Sequence, residues 1–323
     1  MMILLYIFVF IISFFVIAKS GAWIVRALSN ISRILKWREF IVASFIMSSA
    51  STLPELFIAI NSSIKKVPQL SIGNVIGAGV IYLTLVVGVG TIVAKKLRFE
   101  SKVIKKSSAL AVFFLFLPLL LLADGYFSRF DGIILILALL FYYQELYRHQ
   151  KHFSKVYNNY KRKSRKRMFE LVKNLSLFIL GIVILLIGSK GVVYAAINVA
   201  ALTPIPLFVI GLLAVALGTS LPELIFGIES TRLGYKEMIL GNVLGSVVID
   251  AGLVLGIAAI ICPFQVLNMP QYILGIAFSI FAAGFFFLFS RTKNEINKRE
   301  GIALVSLYAL FLISQIVYTI FKY

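Results

Sequence analysis

The chain has 323 residues, of which 60% are apolar and only 14% charged; 32 Lys and Arg against 13 Asp and Glu leave a net charge of +19, and the mean hydropathy is +0.98. Soluble domains carry roughly 25% charged residues, so an ordinary soluble enzyme and a disordered chain are both excluded. The apolar excess turns the basic surplus away from nucleic acid and toward a polytopic helical membrane protein whose charge records topology.

A membrane-spanning helix needs about 20 apolar residues. The first candidate is Met2–Ala18, which lacks both the basic flank and the cleavage site of a signal peptide. Further apolar runs follow near 40–64, 70–94, 107–123, 130–147, 171–190, 205–231, 237–261, 271–290 and 301–321. The expected fold is therefore all-α, with ten transmembrane helices. The longest connection, 148–170, is strongly basic and contains both histidines, His149 and His152. Five basic residues, Lys65, Lys66, Arg129, Lys190 and Lys322, follow even-numbered runs or sit at their ends; the other 27 of the 32 lie on the opposite side. Basic residues collect in the cytoplasm, which puts both termini outside and the 148–170 loop inside. That loop reads first as a topology anchor and linker; anionic lipid headgroups are its other reading.

The halves repeat. Leu53-Pro54-Glu55-Leu56 recurs as Leu221-Pro222-Glu223-Leu224, and Gly73-Asn74-Val75-Ile76-Gly77 as Gly241-Asn242-Val243-Leu244-Gly245, both at an offset of 168. Residues 51–88 and 219–256 share 15 of 38 identities without a gap. Similarity between unrelated apolar helices would match Leu and Val, not Pro, Glu, Asn and Gly in register. Each half holds five runs, and an odd number inverts the second copy. The expected organisation is a first five-helix repeat over 1–147, the loop 148–170, and a second repeat over 171–323. Inverted repeats with interrupted helices in matching places are the plan of a secondary transporter, with its site near mid-membrane.

Candidate chemistry lies at those interruptions. Proline lacks an N–H, so Pro54 and Pro222 free the carbonyls of Ala50 and Gly218. One residue on stand Glu55 and Glu223, flanked by the hydroxyls of Ser51, Thr52, Thr219 and Ser220. Carboxylate, hydroxyl and carbonyl oxygens suit hard cations such as Ca²⁺ and Na⁺, and an ionised group at mid-bilayer needs a partner or a cavity. Ser246 and Asp250 share one helix face four residues apart, and Asp250, in an otherwise apolar run, is the third acidic candidate. Asn74 and Asn242 are read as caps, each where a new helix begins, with ion contact as the alternative. Glu39, Glu100, Glu145, Glu170, Glu237, Glu295, Glu300, Asp124 and Asp131 are read as interfacial charges. So is Glu229, whose functional alternative is an ion exit path. The single Cys262 is a small apolar residue at a helix end, and no disulfide is possible within the chain.

These motifs resemble the cation/Ca²⁺ exchanger superfamily, specifically the sodium/calcium exchanger membrane domain. GTSLPEL at 218–224 with GNVLGSVVID at 241–250 is similar to its second α-repeat, and STLPEL at 51–56 with GNVIG at 73–77 to its first. The resemblance implies Ca²⁺ held between Glu55 and Glu223 with the carbonyls of Ser51 and Thr219. It implies Na⁺ ligands at Thr52, Ser220, Ser246 and Asp250, with the Ala216 carbonyl nearby. The first repeat departs from the family pattern, carrying Ala78 and Tyr82 where a Ser and an Asn are usual. One Na⁺ site is thereby expected to be damaged. The expected function is antiport of Ca²⁺ or a related cation against Na⁺ or H⁺ by alternating access, in the plasma or inner membrane. No cofactor beyond the transported ions and no obligate protein partner are expected. No histidine lies in the apolar runs, so no Ser–His or HExxH chemistry is expected and the chain is read as no enzyme. A passive cation channel and a non-transporting ion-binding homologue are the alternatives.

Overall fold

The computed structural model describes residues 2–35, 47–98, 102–148, 164–232, 236–266, 269–291 and 294–322. The central loop from 149 to 163, with His149 and His152, lies outside them, as do Glu39 and Glu100.

The first half runs α1 (Met2–Leu35), α2 (Ser48–Ser51), α3 (Leu53–Ile64), α4 (Gln69–Ile81), a π-helical turn Tyr82–Val86, α5 (Val87–Ala94), α6 (Lys102–Leu121) and α7 (Arg129–Arg148). The second runs α8 (Ser164–Leu202), α9 (Leu207–Val209), a π turn Ile210–Val215, α10 (Ala216–Thr219), α11 (Leu221–Arg232), α12 (Lys236–Ile249), a π turn Asp250–Val254, α13 (Leu255–Ile261), α14 (Met269–Arg291) and α15 (Lys298–Lys322). Four short strands, β1 (Lys96–Arg98), β2 (Tyr126–Phe127), β3 (Phe264–Gln265) and β4 (Glu295–Asn297), pair β1 with β4 and β2 with β3. Among the described residues seven helices are long and apolar enough to cross a membrane, and Leu53–Ile64 and Ser108–Leu121 are shorter apolar helices.

Two helices outrun their expected ends. α1 continues to Leu35, so Lys19 and Arg26 lie within a helix rather than in a loop. α8 continues to Leu202, so Lys190 sits well inside it. A lysine or arginine can stay helical while its long stem carries the charge toward polar surroundings, so a single basic residue is a poor marker of a helix end.

The internal repeat reappears as packing. α5 packs on α15 of the other half, and α13 packs on α7. α3 against α13 is matched by α11 against α5, and α6 against α12 by α14 against α4. Each member of a pair is related to the other by the same offset of 168. The α5–α15 and α7–α13 seams are close backbone approaches: a Cβ at Gly88 would lie 2.7 Å from the Gly301 carbonyl, and one at Gly256 would lie 2.9 Å from that of Gly132. Small residues at such seams let helices meet where lipid supplies no hydrophobic drive.

Even the caps match. Asp131 N–H donates to Ser128 Oγ (3.2 Å) while Ser128 N–H donates to Asp131 Oδ2 (2.7 Å). Ahead of α15, Glu300 N–H donates to Asn297 Oδ1 (3.1 Å) and Asn297 N–H to Glu300 Oε2 (2.8 Å). Both are reciprocal capping boxes, so Asp131 and Glu300 are helix-starting residues. Glu295 pairs with Lys96 at 3.6 Å and Arg98 at 3.5 Å across β1–β4.

Burial separates a centre from a periphery. In Gln69–Ala94, 83% of the apolar window is buried, against 11% in Met2–Leu28 and 17% in Met168–Leu202. α1 and α8 pack chiefly on each other. An apolar cluster that includes Ile17, Ile24, Ile58, Leu185, Val192 and Ile210 seats this pair on the centre.

Candidate cation-binding site

Each site glutamate owes its position to the proline before it. The chain is helical through α2, leaves the helix for one residue at Thr52 (φ −86°, ψ 2°), and restarts at Leu53 with Pro54 in the first turn. Ser220 is the matching break (φ −80°, ψ −1°). Proline is tolerated in a first turn because its missing N–H would be unpaired there anyway. Glu55 and Glu223 therefore lie in the first turns of α3 and α11, where exposed N–H groups favour an anion.

The breaks are closed by their own carbonyls. Ser48 O accepts Thr52 N–H (3.0 Å), Thr52 Oγ1 (2.9 Å) and Ser51 Oγ (3.3 Å). Ala216 O accepts Ser220 N–H (3.0 Å) and Thr219 Oγ1 (3.4 Å). Of the hydroxyls one residue after the hinge pair, Thr52 is thus tied to its own helix, whereas Ser220 Oγ has no hydrogen-bond partner.

The two asparagines do not cap. Asn74 lies within α4 and Asn242 within α12, each well past the first turn and buried. Each reaches across to the other half's break: Thr219 Oγ1 donates to Asn74 Oδ1 at 3.2 Å, and Ser51 Oγ to Asn242 Oδ1 at 3.5 Å. The expectation of a helix start failed because Gln69 and Lys236 open these helices earlier.

Glu55 and Glu223 are both fully buried and face the same point. What stands between them is Tyr82, also fully buried, whose hydroxyl is 3.3 Å from Glu55 Oε1 and 3.3 Å from Glu223 Oε1. Thr219 is beside Glu55 and Ser51 beside Glu223, so each half's hydroxyl serves the other's acid. Asp250 is 2% exposed and near the same tyrosine. Tyr82 and Asp250 are repeat equivalents, and each opens a π turn, a helix irregularity that recurs at functional sites. Among the described residues the three acids do not close into a three-carboxylate metal cage. Several site atoms have no hydrogen-bond partner: the second oxygens of both glutamates, both oxygens of Asp250, Ser246 Oγ, Ser220 Oγ, and the amide nitrogens of Asn74 and Asn242. Buried polar atoms are nearly always paired, so this cluster of unpaired oxygens suits a cation.

Asp250 also borders a cavity of about 20 Å³ lined by Ile76, Gly79, Pro118, Val247 and Ser279, room for roughly one water molecule. Ser279 carried no signal in the sequence, since it stands alone in an apolar run. Of the remaining candidates, Ala78 is buried and supplies no side-chain oxygen, and Cys262 ends α13 as expected. Phe14 of α1 covers the second break: a Cβ at Gly218 would lie 2.0 Å from its ring.

Two matching halves that bring a glutamate each to one buried, hydroxyl-rich centre define a repeat-built membrane protein of the ion-transporter class. The chain belongs to the sodium/calcium exchanger protein family, whose model matches residues 5–144 and 173–317. It is 27% identical to the sodium/calcium exchanger MaX1 of Methanosarcina acetivorans, over 92% of this chain and 94% of that one. It is 26% identical to the membrane protein MJ0091 of Methanocaldococcus jannaschii, over 94% and 96%. Among solved structures it resembles the sodium-calcium exchanger NCX_Mj soaked with Na⁺ and Sr²⁺, with a TM-score of 0.69, 25% identity, and coverage of 96% of this chain and 98% of that one.

Proposed function

We propose that the protein is a secondary active antiporter that exchanges Ca²⁺, or a related divalent cation, for Na⁺ or H⁺ by alternating access. The observation that carries this reading is the meeting of Glu55 and Glu223 at one hydroxyl, with Asp250 beside them. Buried acids with unpaired oxygens are costly when ionised and empty, so a cation or protons must fill the site. Divalent and monovalent ions then compete for the same oxygens, which makes transport an exchange. In this reading Glu55 and Glu223 hold the divalent ion with the Ser51 and Thr219 carbonyls. Thr52, Ser220, Ser246, Asp250 and the Ala216 carbonyl serve the counter-ion.

The same reading takes ten spans in two inverted sets, 1–147 and 171–323, with both termini outside and the 148–170 loop in the cytoplasm. α1 and α8, packed on each other and exposed to lipid, are the pair that slides over the buried centre. The likeness to exchangers named for sodium and calcium supports the cargo; a relative named as a putative antiporter, from Alkalimonas amylolytica, supports the mode.

The test is Ca²⁺ uptake into reconstituted vesicles under an imposed Na⁺ or pH gradient. Uptake driven by one of the two gradients is expected, and Glu55→Gln and Glu223→Gln should each reduce it to background. Uptake that persists in both variants would refute the site. Conduction without any counter-ion would make the protein a channel, and binding without flux a non-transporting homologue.

A further inference from the structure

The two halves can be compared position by position at the site. Ser51 matches Thr219, Thr52 matches Ser220, Glu55 matches Glu223, and Asn74 matches Asn242. Two pairs are unlike: Ala78 against Ser246, and Tyr82 against Asp250. The unlike pairs divide the free oxygens unevenly. On the second-repeat side Ser246 Oγ is buried without a hydrogen-bond partner, and Ser220 Oγ and both Asp250 oxygens, also buried, have only the Tyr82 hydroxyl recorded beside them. On the first-repeat side the Thr52 hydroxyl donates to Ser48 O at 2.9 Å, Ala78 has no side-chain oxygen, and the Tyr82 hydroxyl lies 3.3 Å from an oxygen of each glutamate. Small hard cations need several oxygens at once, and a neutral phenol is a weaker ligand for them than a carboxylate. The first-repeat flank therefore lacks the two ligands, a serine hydroxyl and a carboxylate, that Ser246 and Asp250 add on the second-repeat flank.

We propose that Tyr82 is a specificity-determining residue that sets the number of counter-ions: its ring fills the first-repeat flank and its hydroxyl lies between the two glutamates, so the site takes a single monovalent cation in exchange for the divalent one, on the Ser220–Ser246–Asp250 side. The inference rests on the exchanger reading and adds an ion count to it.

The test is equilibrium binding of Ca²⁺ to the purified full-length protein in detergent at increasing Na⁺. By linkage, the slope of log apparent Kd against log Na⁺ counts the sodium ions displaced per Ca²⁺. The slope expected for the natural chain is about one, rising to about two when Ala78→Ser and Tyr82→Asn together rebuild the first-repeat flank. Tyr82→Phe adds no oxygen there and should leave the slope at about one. Should the double variant fail to fold, Asp250→Asn and Ser246→Ala each take its place, and each should flatten the slope toward zero. The proposal is overturned if the natural chain gives a slope of two or of zero, if the rebuilt flank leaves it unchanged, or if it survives Asp250→Asn. Failure of the exchanger reading looks different, because Glu55→Gln and Glu223→Gln would then leave Ca²⁺ binding and vesicle uptake intact.

Discussion

At the scale of single residues, the site is held by exchanges between halves. Asn74 is buried in α4 with its amide nitrogen unpaired, and its amide oxygen accepts from Thr219 across the interface. Thr219→Ala would leave that oxygen without its donor. Stranding a buried polar group costs about 1–3 kcal/mol, so a lower melting temperature is expected in detergent, with Thr219→Ser restoring most of the loss. Equal melting of the Ala and Ser variants would show that the hydroxyl bond contributes little. The sequence marked Asn74 and Thr219 as belonging together only through the repeat. That they touch, 145 residues apart, could not be read from it, because periodicity reports which face a side chain occupies and not what lies opposite. Tyr82 is the sharper case. Its sequence position announced a lost amide, whereas its fully buried ring and the 3.3 Å reach to both glutamates follow from two helices crossing.

At the scale of elements, the centre depends on helices meeting backbone to backbone. A Cβ at Gly77 of α4 would lie 2.1 Å from the Leu212 carbonyl and 2.7 Å from Ala216 Cβ, and neither neighbour is a flexible side-chain end. Overpacking of this kind costs about 1–3 kcal/mol and sometimes more. Gly77→Ala is expected to lower folded yield and thermal stability and to abolish Ca²⁺ binding, since the displaced strand of helix carries Ala216 and Thr219. Gly284→Ala, with nothing within 4 Å of the added carbon, is the neutral control. Matching losses in both variants would mean that the contact is not what limits stability. The Gly-Asn-Val-x-Gly motif has the small residues that let helices pack closely; its partner, the π turn Ile210–Val215, carried no recognisable mark.

At the scale of the whole molecule, the halves are interlocked rather than side by side. α15 of the second half braces α5 of the first, α7 braces α13, and strands β1–β4 and β2–β3 join the halves at matching places. Removing one half would strip the other of its seams, so neither is expected to fold alone. Orientation is a separate matter of charge. In a Cys262→Ser background, a cysteine replacing Tyr323 should react with a membrane-impermeant maleimide in intact cells, and one replacing Asn158 only after permeabilisation. Labelling of both from the same side would overturn the proposed topology. The basic residues inside helices, Lys19, Arg26 and Lys190, show that a basic residue does not mark the end of a span.

The sequence by itself determined that the chain is a helical membrane protein, that it is a doubled unit, and that the paired Pro-Glu breaks and Asp250 are the candidates for its chemistry. Each is a property of residue type and spacing, and spacing survives without coordinates. Only the tertiary structure decided that Asn74 and Asn242 lie inside helices and bond across the halves, that α1 and α8 run on past their expected ends, and that a phenol stands between the two glutamates. Those depend on crossing helices whose contacts are hundreds of atoms apart along the chain. An apolar pattern tells a helix to bury a face, and it leaves the choice of partner to the shapes that meet there.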